Sequence, residues 1–165
     1  MSSAKISAAE VLQRLNAEHL TLCTAESCTG GLVGKLITDV PGASSVYVGG
    51  VISYTNEVKH RVLGVSRDTL AQHTAVSAET AGEMARGARR LLGADIAVSV
   101  TGLAGPDGDG TGRPVGLVYI ALDRAAGCLV QELHLAGDRA AVRGAAAQAI
   151  FALLLEALSN SEECL

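Results

Sequence analysis

The sequence predicts a three-layer α/β/α sandwich built on a mixed sheet. Three observations carry that prediction. Segments of helical and strand period alternate along the chain in the order α-β-α-β-α-α-β-β-β-α. Residues 94–100 are apolar but for Asp95 and Ser99, and read as a strand of buried type. Two strands at 115–122 and 128–135, joined around Ala125-Ala126-Gly127, close the strand series as a hairpin, which brings antiparallel pairing into the sheet.

Each element has its own local signature. Ser7-Ala8-Ala9-Glu10 is a capping box, and Val11, Leu12 and Leu15 give the helix after it an apolar face. Leu20, Leu22 and Cys23 mark a short strand ending near Thr24. Leu32, Val33, Leu36 and Ile37 place a second helix at 28–39, which Pro41-Gly42 ends. Residues 46–54 are rich in β-formers, and Gly49-Gly50 within them predicts a bulge or a close backbone approach. Residues 56–63 read as a short helix. Ser77 is the N-cap of a longer one, with the stripe Ala81, Met84, Ala85, Ala88, Leu91 and Leu92. The Gly-rich residues 105–112 can only be loop. Asp138 caps the last helix, whose inner face includes Val142, Ile150, Leu153, Leu154 and Leu158. No repeat or linker is present, so 1–165 reads as one domain. The order of strands in space does not follow from this pattern.

Composition narrows the function classes. A chain of 165 residues can bury roughly two-thirds of its unfolded surface. With 48% hydrophobic and 18% charged residues it is globular rather than disordered. A net charge of −4 without a basic stripe argues against nucleic-acid binding. The longest apolar run, 150–158, is interrupted by Glu156 and falls short of the roughly 18 residues of a membrane span. The start, Met1-Ser2-Ser3-Ala4-Lys5, lacks a signal-peptide core. Cys23, Cys28, Cys128 and Cys164 show no C-x-x-C or zinc-ligand spacing, so reduced thiols in a cytoplasmic protein are expected. Tyr47, Tyr54, Tyr119 and Phe151 are its four aromatics, and so Ala-rich a domain is expected to self-associate.

Four Gly-bearing junctions can carry chemistry. The first is Thr24-Ala25-Glu26-Ser27-Cys28-Thr29-Gly30-Gly31, where a strand opens into a helix. A hydroxyl there can be presented to a ligand while backbone N–H groups of Thr29, Gly30 and Gly31 stabilise an anion or a developing oxyanion. Ser27 is the candidate nucleophile, or simply an N-cap. Cys28 is a rival, but its thiolate would need a local base or cation. Glu26 either orients a partner or exploits the helix dipole. The segment is neither a P-loop nor G-x-G-x-x-G, and the later Asp-Gly loop lacks the ligand ladder of an EF-hand.

The second junction is Ser53-Tyr54-Thr55-Asn56-Glu57-Val58-Lys59. A serine needs a base to remove its proton, and no His lies in any of these junctions. Lys59 is the candidate base if burial lowers its pKa, with Tyr54 as relay or phenolic donor; the plainer alternative is a solvated helix charge. The third junction, Ser99 to Pro106, offers the Thr101 hydroxyl and the exposed N–H groups of a Gly-rich turn at Gly102. The fourth, Gly137 to Arg143, sets Arg139 and Arg143 on one helix face. Cations in a first turn oppose the helix dipole by about 0.3–1 kcal/mol each. Asp138 offsets part of that; a bound phosphate gripped by the guanidiniums would offset it fully.

Together these segments resemble the C-terminal domain family of the competence/damage-inducible protein CinA, in family order over about residues 8–158. Free-standing members are bacterial nicotinamide-nucleotide amidases, and the chain resembles that form, without the extra N-terminal domain of two-domain members. The resemblance implies hydrolysis of nicotinamide mononucleotide to nicotinate mononucleotide and ammonia, in pyridine-nucleotide salvage, with no metal or cofactor. It implies Ser27 of A-E-S-C-T-G-G as nucleophile and Tyr54 and Lys59 of Y-[ST]-N-E-x-K as the pair from which the proton acceptor comes. Thr101 would contribute to substrate or proton handling, and Arg139 and Arg143 of G-D-R-x-x-x-R would grip the 5′-phosphate. Glu26, Thr29, Gly30, Gly31 and Gly102 complete the expected substrate-binding set. Two rival readings stay open: a catalytically silent nucleotide-binding module, and an adaptor for recombination proteins.

Overall fold

In the computed structural model, which describes residues 5–160, the first strand is the pivot of the sheet. The strands are β1 (Leu22–Glu26), β2 (Tyr47–Ile52), β3 (Ile96–Gly102), β4 (Leu117–Arg124) and β5 (Gly127–His134), in the order β2-β1-β3-β4-β5. β1 pairs in parallel with both β2 and β3, whereas β4 runs antiparallel to β3 and to β5. The helices are α1 (Ala8–Ala17), α2 (Leu32–Thr38), α3 (Asn56–Leu63), α4 (Arg67–His73), α5 (Ala78–Leu92) and α6 (Arg139–Ser159).

Apolar alternation on the strands sorts these helices into two layers. Leu22, Val98, Val100, Ile120 and Leu122 point to one face and pack with Leu15 of α1, Ile37 of α2 and Phe151 and Leu154 of α6. Cys23, Ala25 and Ala97 point to the other and meet Leu63 of α3 and Met84 and Ala88 of α5. The three-layer α/β sandwich with a mixed sheet is what the sequence predicted.

Several boundaries differ. β1 continues to Glu26, and α2 starts at Leu32 rather than 28. Gly30 and Gly31 have φ of 58° and 103°, a left-handed pair that turns the chain before a helix can begin. α4 was not predicted. None of its residues is buried, so it leaves no apolar stripe in the sequence; its signal is the Ser66 cap, whose hydroxyl accepts from the Asp68 N–H at 3.2 Å. Leu91, assigned to the buried stripe of α5, is 54% exposed. β3 is displaced two residues toward the C-terminus, to Gly102. The bulge falls one residue before the glycines, at Val48, where the register slips between the Leu22–Tyr47 and Cys23–Gly49 pairs, and Gly50 itself makes the close approach, to Thr24.

α6 corrects another expectation. At 21 residues it is long and apolar enough to cross a membrane by length and composition, although no unbroken run suggested it. Alanines between its Leu and Ile residues raise the mean hydropathy. Its buried stripe, Val142 through Leu158, packs against the sheet and α1, as a core helix does. Cys164 and the segment Met1 to Ala4 lie outside the described residues.

Candidate active site

Three parallel strands end at one edge, and the segments that leave them converge. The Ser27 N–H continues the β1–β3 ladder by donating to the Val100 carbonyl at 3.0 Å, and the Ser53 N–H donates to the Glu26 carbonyl at 2.8 Å. Ser27 is thereby fixed between the carboxyl ends of β2 and β3, the edge where open α/β sheets place ligands.

Lys59 reaches this point from α3. It sits four residues before Leu63, so both project to the buried face of the helix. Thr55 caps the start, its hydroxyl accepting from the Val58 N–H. Lys59 is 1% exposed and among the largest fully buried side chains of the protein. Its Nζ donates to Ser27 Oγ at 2.8 Å, to the Ser53 carbonyl at 2.6 Å and to the Tyr54 carbonyl at 3.4 Å. No carboxylate pairs with it among the described residues. Burial therefore pushes the ammonium down to about 8, only partly opposed by Cys28. When the amine is neutral, two N–H bonds can stay on the carbonyls while its lone pair faces the Ser27 hydroxyl. That is the geometry of a general base beside its nucleophile.

A cavity of about 290 Å³ opens over this pair. Ser27, Cys28, Tyr54, Lys59, Thr101, Gly102 and Arg139 line it, together with Ala75, Val76, Leu103, Ala104, Gly105, Asp107 and Asp109. Six of the eleven residues predicted for the site are thus brought together. Thr101 is buried, its hydroxyl donating to the Ala75 carbonyl at 2.7 Å. Tyr54 is 59% exposed, and its hydroxyl accepts from Arg139 Nη2 at 3.1 Å with no bond to Ser27 or Lys59. Arg139 also donates from Nη1 to the Gly105 carbonyl at 2.7 Å, which ties α6 to the loop after β3. Cys28 lines the cavity, but burial pushes its thiol up to about 11, so it is not a ready thiolate.

The other five serve the turn behind Ser27. Glu26 does not face the cavity: its buried carboxylate accepts from the Thr29 hydroxyl at 2.7 Å and from the Val33 and Gly34 N–H groups at 2.9 and 3.0 Å, capping α2. Thr29 is fully buried, and Arg143 Nη2 donates to its carbonyl at 2.8 Å. The Gly30 N–H is taken by the Ser27 carbonyl at 3.0 Å, which removes it as an oxyanion donor, and Gly31 lies away from the cavity. Arg139 and Arg143 therefore do not form one fork. Arg139 in the first turn of α6 and Arg143 one turn later are each matched by a backbone carbonyl, a partner that spacing alone does not reveal. Asp107 and Asp109 also line the cavity; the sequence placed them in a Gly-rich loop and named neither as a site residue. Among the described residues no group of three His, Cys, Asp or Glu comes together as a metal site would require.

A family model described as the CinA C-terminal domain matches residues 4–158. A CinA-like protein of Geobacter sulfurreducens is 54% identical over 124 residues, 75% of this chain and 30% of its own length. A CinA-like protein of Syntrophomonas wolfei is 48% identical over 139 residues, covering 84% of this chain and 33% of its own. The chain thus spans about a third of the length of these curated relatives. Solved structures match end to end. A competence-damaged protein (CinA) superfamily protein from Klebsiella pneumoniae superposes with a TM-score of 0.91 at 37% identity, over 93% of this chain and 96% of that one. The competence/damage inducible protein CihA from Agrobacterium tumefaciens gives 0.88 at 38% identity, over 92% and 93%.

Proposed function

The chain belongs to the CinA C-terminal domain family, and from that premise we propose that it is an amidohydrolase converting nicotinamide mononucleotide to nicotinate mononucleotide and ammonia. The substrate follows from the family resemblance of the four motifs. The chemistry rests on one observation: a fully buried lysine, without an acidic partner among the described residues, 2.8 Å from a serine hydroxyl that lines a cavity.

Neutral Lys59 takes the Ser27 proton as Oγ attacks the carboxamide carbon. The Cys28 N–H, on the residue after the nucleophile, donates to no other residue among those described and supports the oxyanion. As the tetrahedral intermediate collapses, the Lys59 ammonium returns the proton to the leaving nitrogen and ammonia departs. The remaining acyl ester on Ser27 is attacked by water, with Lys59 again accepting the proton and then returning it to Oγ. Arg139, which lines the cavity and spends two of its donors on protein, is the contact for the phosphate. Tyr54 orients Arg139 rather than serving as base.

Ammonia release from nicotinamide mononucleotide tests this reading. Turnover is expected to rise with pH toward about 8 as Lys59 loses its proton, and Ser27→Ala is expected to lower it at least about a thousandfold. Nucleotide binding without ammonia release would instead favour a silent binding module, and full activity in Ser27→Ala would remove the serine from the mechanism.

A further inference from the structure

We propose that Thr80, a buried residue of α5 outside the cavity, is a positioning residue for the reaction: with Thr101 and Arg113 it holds residues 73–76 in a strained conformation that forms one wall of the cavity. This rests on the amidase reading above and adds to it a residue that touches no substrate.

The segment between α4 and α5 supplies that wall. Ala75 and Val76 line the cavity beside Ser27. Immediately before them, Thr74 has φ 68° and ψ 176°, a region that glycine enters freely and a β-branched residue enters at a cost. His19 is the other non-glycine residue with positive φ among those described. The Thr74 hydroxyl gives the corner some local support by accepting from the Val76 N–H at 3.3 Å.

A strained conformation persists only where its surroundings fix it more firmly than the strain opposes it. Here three consecutive carbonyls are each held by a side chain from a different part of the chain. Arg113 Nη2 donates to the His73 carbonyl at 3.1 Å, Thr80 Oγ1 to that of Thr74 at 2.7 Å, and Thr101 Oγ1 to that of Ala75 at 2.7 Å. Thr80 is 0% exposed, so water cannot readily replace its hydroxyl on that carbonyl. Ser77 Oγ lies 3.1 Å from the Thr74 carbonyl and 3.0 Å from Thr80 Oγ1, with one proton to give between them. Val76 completes the attachment by packing on Leu103 and Leu117.

Thr80 is the informative member of this set. Thr101 lines the cavity, whereas Thr80 does not, so an effect of Thr80 on substrate must pass through the wall. It also binds the carbonyl of the strained residue itself. Without that bond the direct relaxation returns Thr74 to negative φ and carries Ala75 and Val76 with it. Ser27 and Lys59 take their positions from β1 and α3 instead, so the wall shifts while the nucleophile and its base stay.

Thr80→Val removes the hydroxyl and keeps the side-chain shape. Ammonia release from nicotinamide mononucleotide is expected to show KM raised about fivefold with kcat within about twofold of wild type, and Thr80→Ser to restore KM. The double variant Thr80→Val/Thr74→Gly separates positioning from packing. Glycine holds a positive φ unaided, so this variant is expected to recover KM to within about twofold of wild type. Damage confined to the packing of α5 would not be repaired at position 74. An unchanged KM in Thr80→Val, or no recovery in the double variant, would overturn the proposal. A comparison without substrate reads the strain: Thr74→Gly is expected to melt about 3 °C above Thr74→Ala, the reverse of the usual order for these two residues. An equal or lower melting temperature would overturn the proposal as well. If wild type releases no ammonia, the amidase reading fails, and calorimetric Kd values for nicotinamide mononucleotide take the place of KM. Binding that weakens in Thr80→Val and recovers in the double variant would still support the wall; binding that is equal in all three proteins, or absent, would overturn it.

Discussion

Arg139 and Arg143 are one helical turn apart and both donate to backbone carbonyls, yet they stand on different sides of the nucleophile. Arg139 lines the cavity; Arg143 holds the Thr29 carbonyl from behind, while Glu26 holds the Thr29 hydroxyl. Thr29 is thus gripped at two points, and the turn that carries Ser27 inherits that rigidity. Replacing them separates the roles. Arg139→Ala is expected to raise KM about tenfold with a small change in kcat, whereas Arg143→Ala lowers kcat about tenfold and leaves KM within about twofold, with partial rescue by Arg143→Lys. Steady-state ammonia release reads both, and a rise in KM for Arg143→Ala would return it to the phosphate. At this scale the sequence was informative about Ser27 and Lys59, because a hydroxyl in a Gly-rich junction and a lysine four residues before a core leucine are local patterns. It read Glu26 at the helix N-terminus that it does cap, but gave Tyr54 and Arg143 roles toward the substrate, because their partners lie 85 and 114 residues away and depend on which side of the strand edge each side chain takes.

Among elements, the crossing of α3 over α5 sets the position of the base. Gly87 of α5 lies against the backbone of Leu63, the last residue of α3, so closely that an added Cβ would collide with the Leu63 carbonyl oxygen and come within 2.8 Å of its carbon. Backbone atoms cannot swing aside as a side chain would, so a methyl group at 87 must push the helices apart. Lys59 is one turn from that contact. Gly87→Ala is accordingly expected to destabilise the fold by about 1–3 kcal/mol despite the better helix propensity of alanine, and to cut kcat by about tenfold through displacement of Nζ. Urea unfolding and ammonia release measure the two effects; wild-type stability in Gly87→Ala would show that the crossing is slack. The same comparison explains which elements were legible. α3 was read at its observed bounds and α5 nearly so; Ser77 and the stripe after it were legible as the start of α5, while the Thr55 cap of α3 is seen in the structure. α4 carries no buried residue, and the start of α2 is set by two glycines with positive φ rather than by periodicity.

For the whole molecule, the strand order β2-β1-β3-β4-β5 gathers the site, because it brings the carboxyl ends of three parallel strands to one edge and sets the start of α6 beside them. That order rests on contacts distant in sequence, which is why periodicity gave the layers and not the arrangement. The fold in turn bears the cost of keeping Lys59 dry. Its folded-state pKa is about 8 against an ordinary 10.5, so the group is protonated in both folded and unfolded chains below about 8, and there the penalty for a buried ammonium is fully present. Between about 8 and 10.5 the folded protein has released a proton that the unfolded chain still binds, and stability must rise with pH across that window. Above it the contribution levels off. The shift corresponds to about 3 kcal/mol. Other groups titrate in the same range, so the comparison is with Lys59→Met, in which they are shared. The unfolding free energy of wild type relative to Lys59→Met is expected to climb by about that amount from pH 7 to 11, as read from urea titrations. A flat difference would mean that the lysine is solvated, and a buried neutral base at Ser27 would then have no physical support.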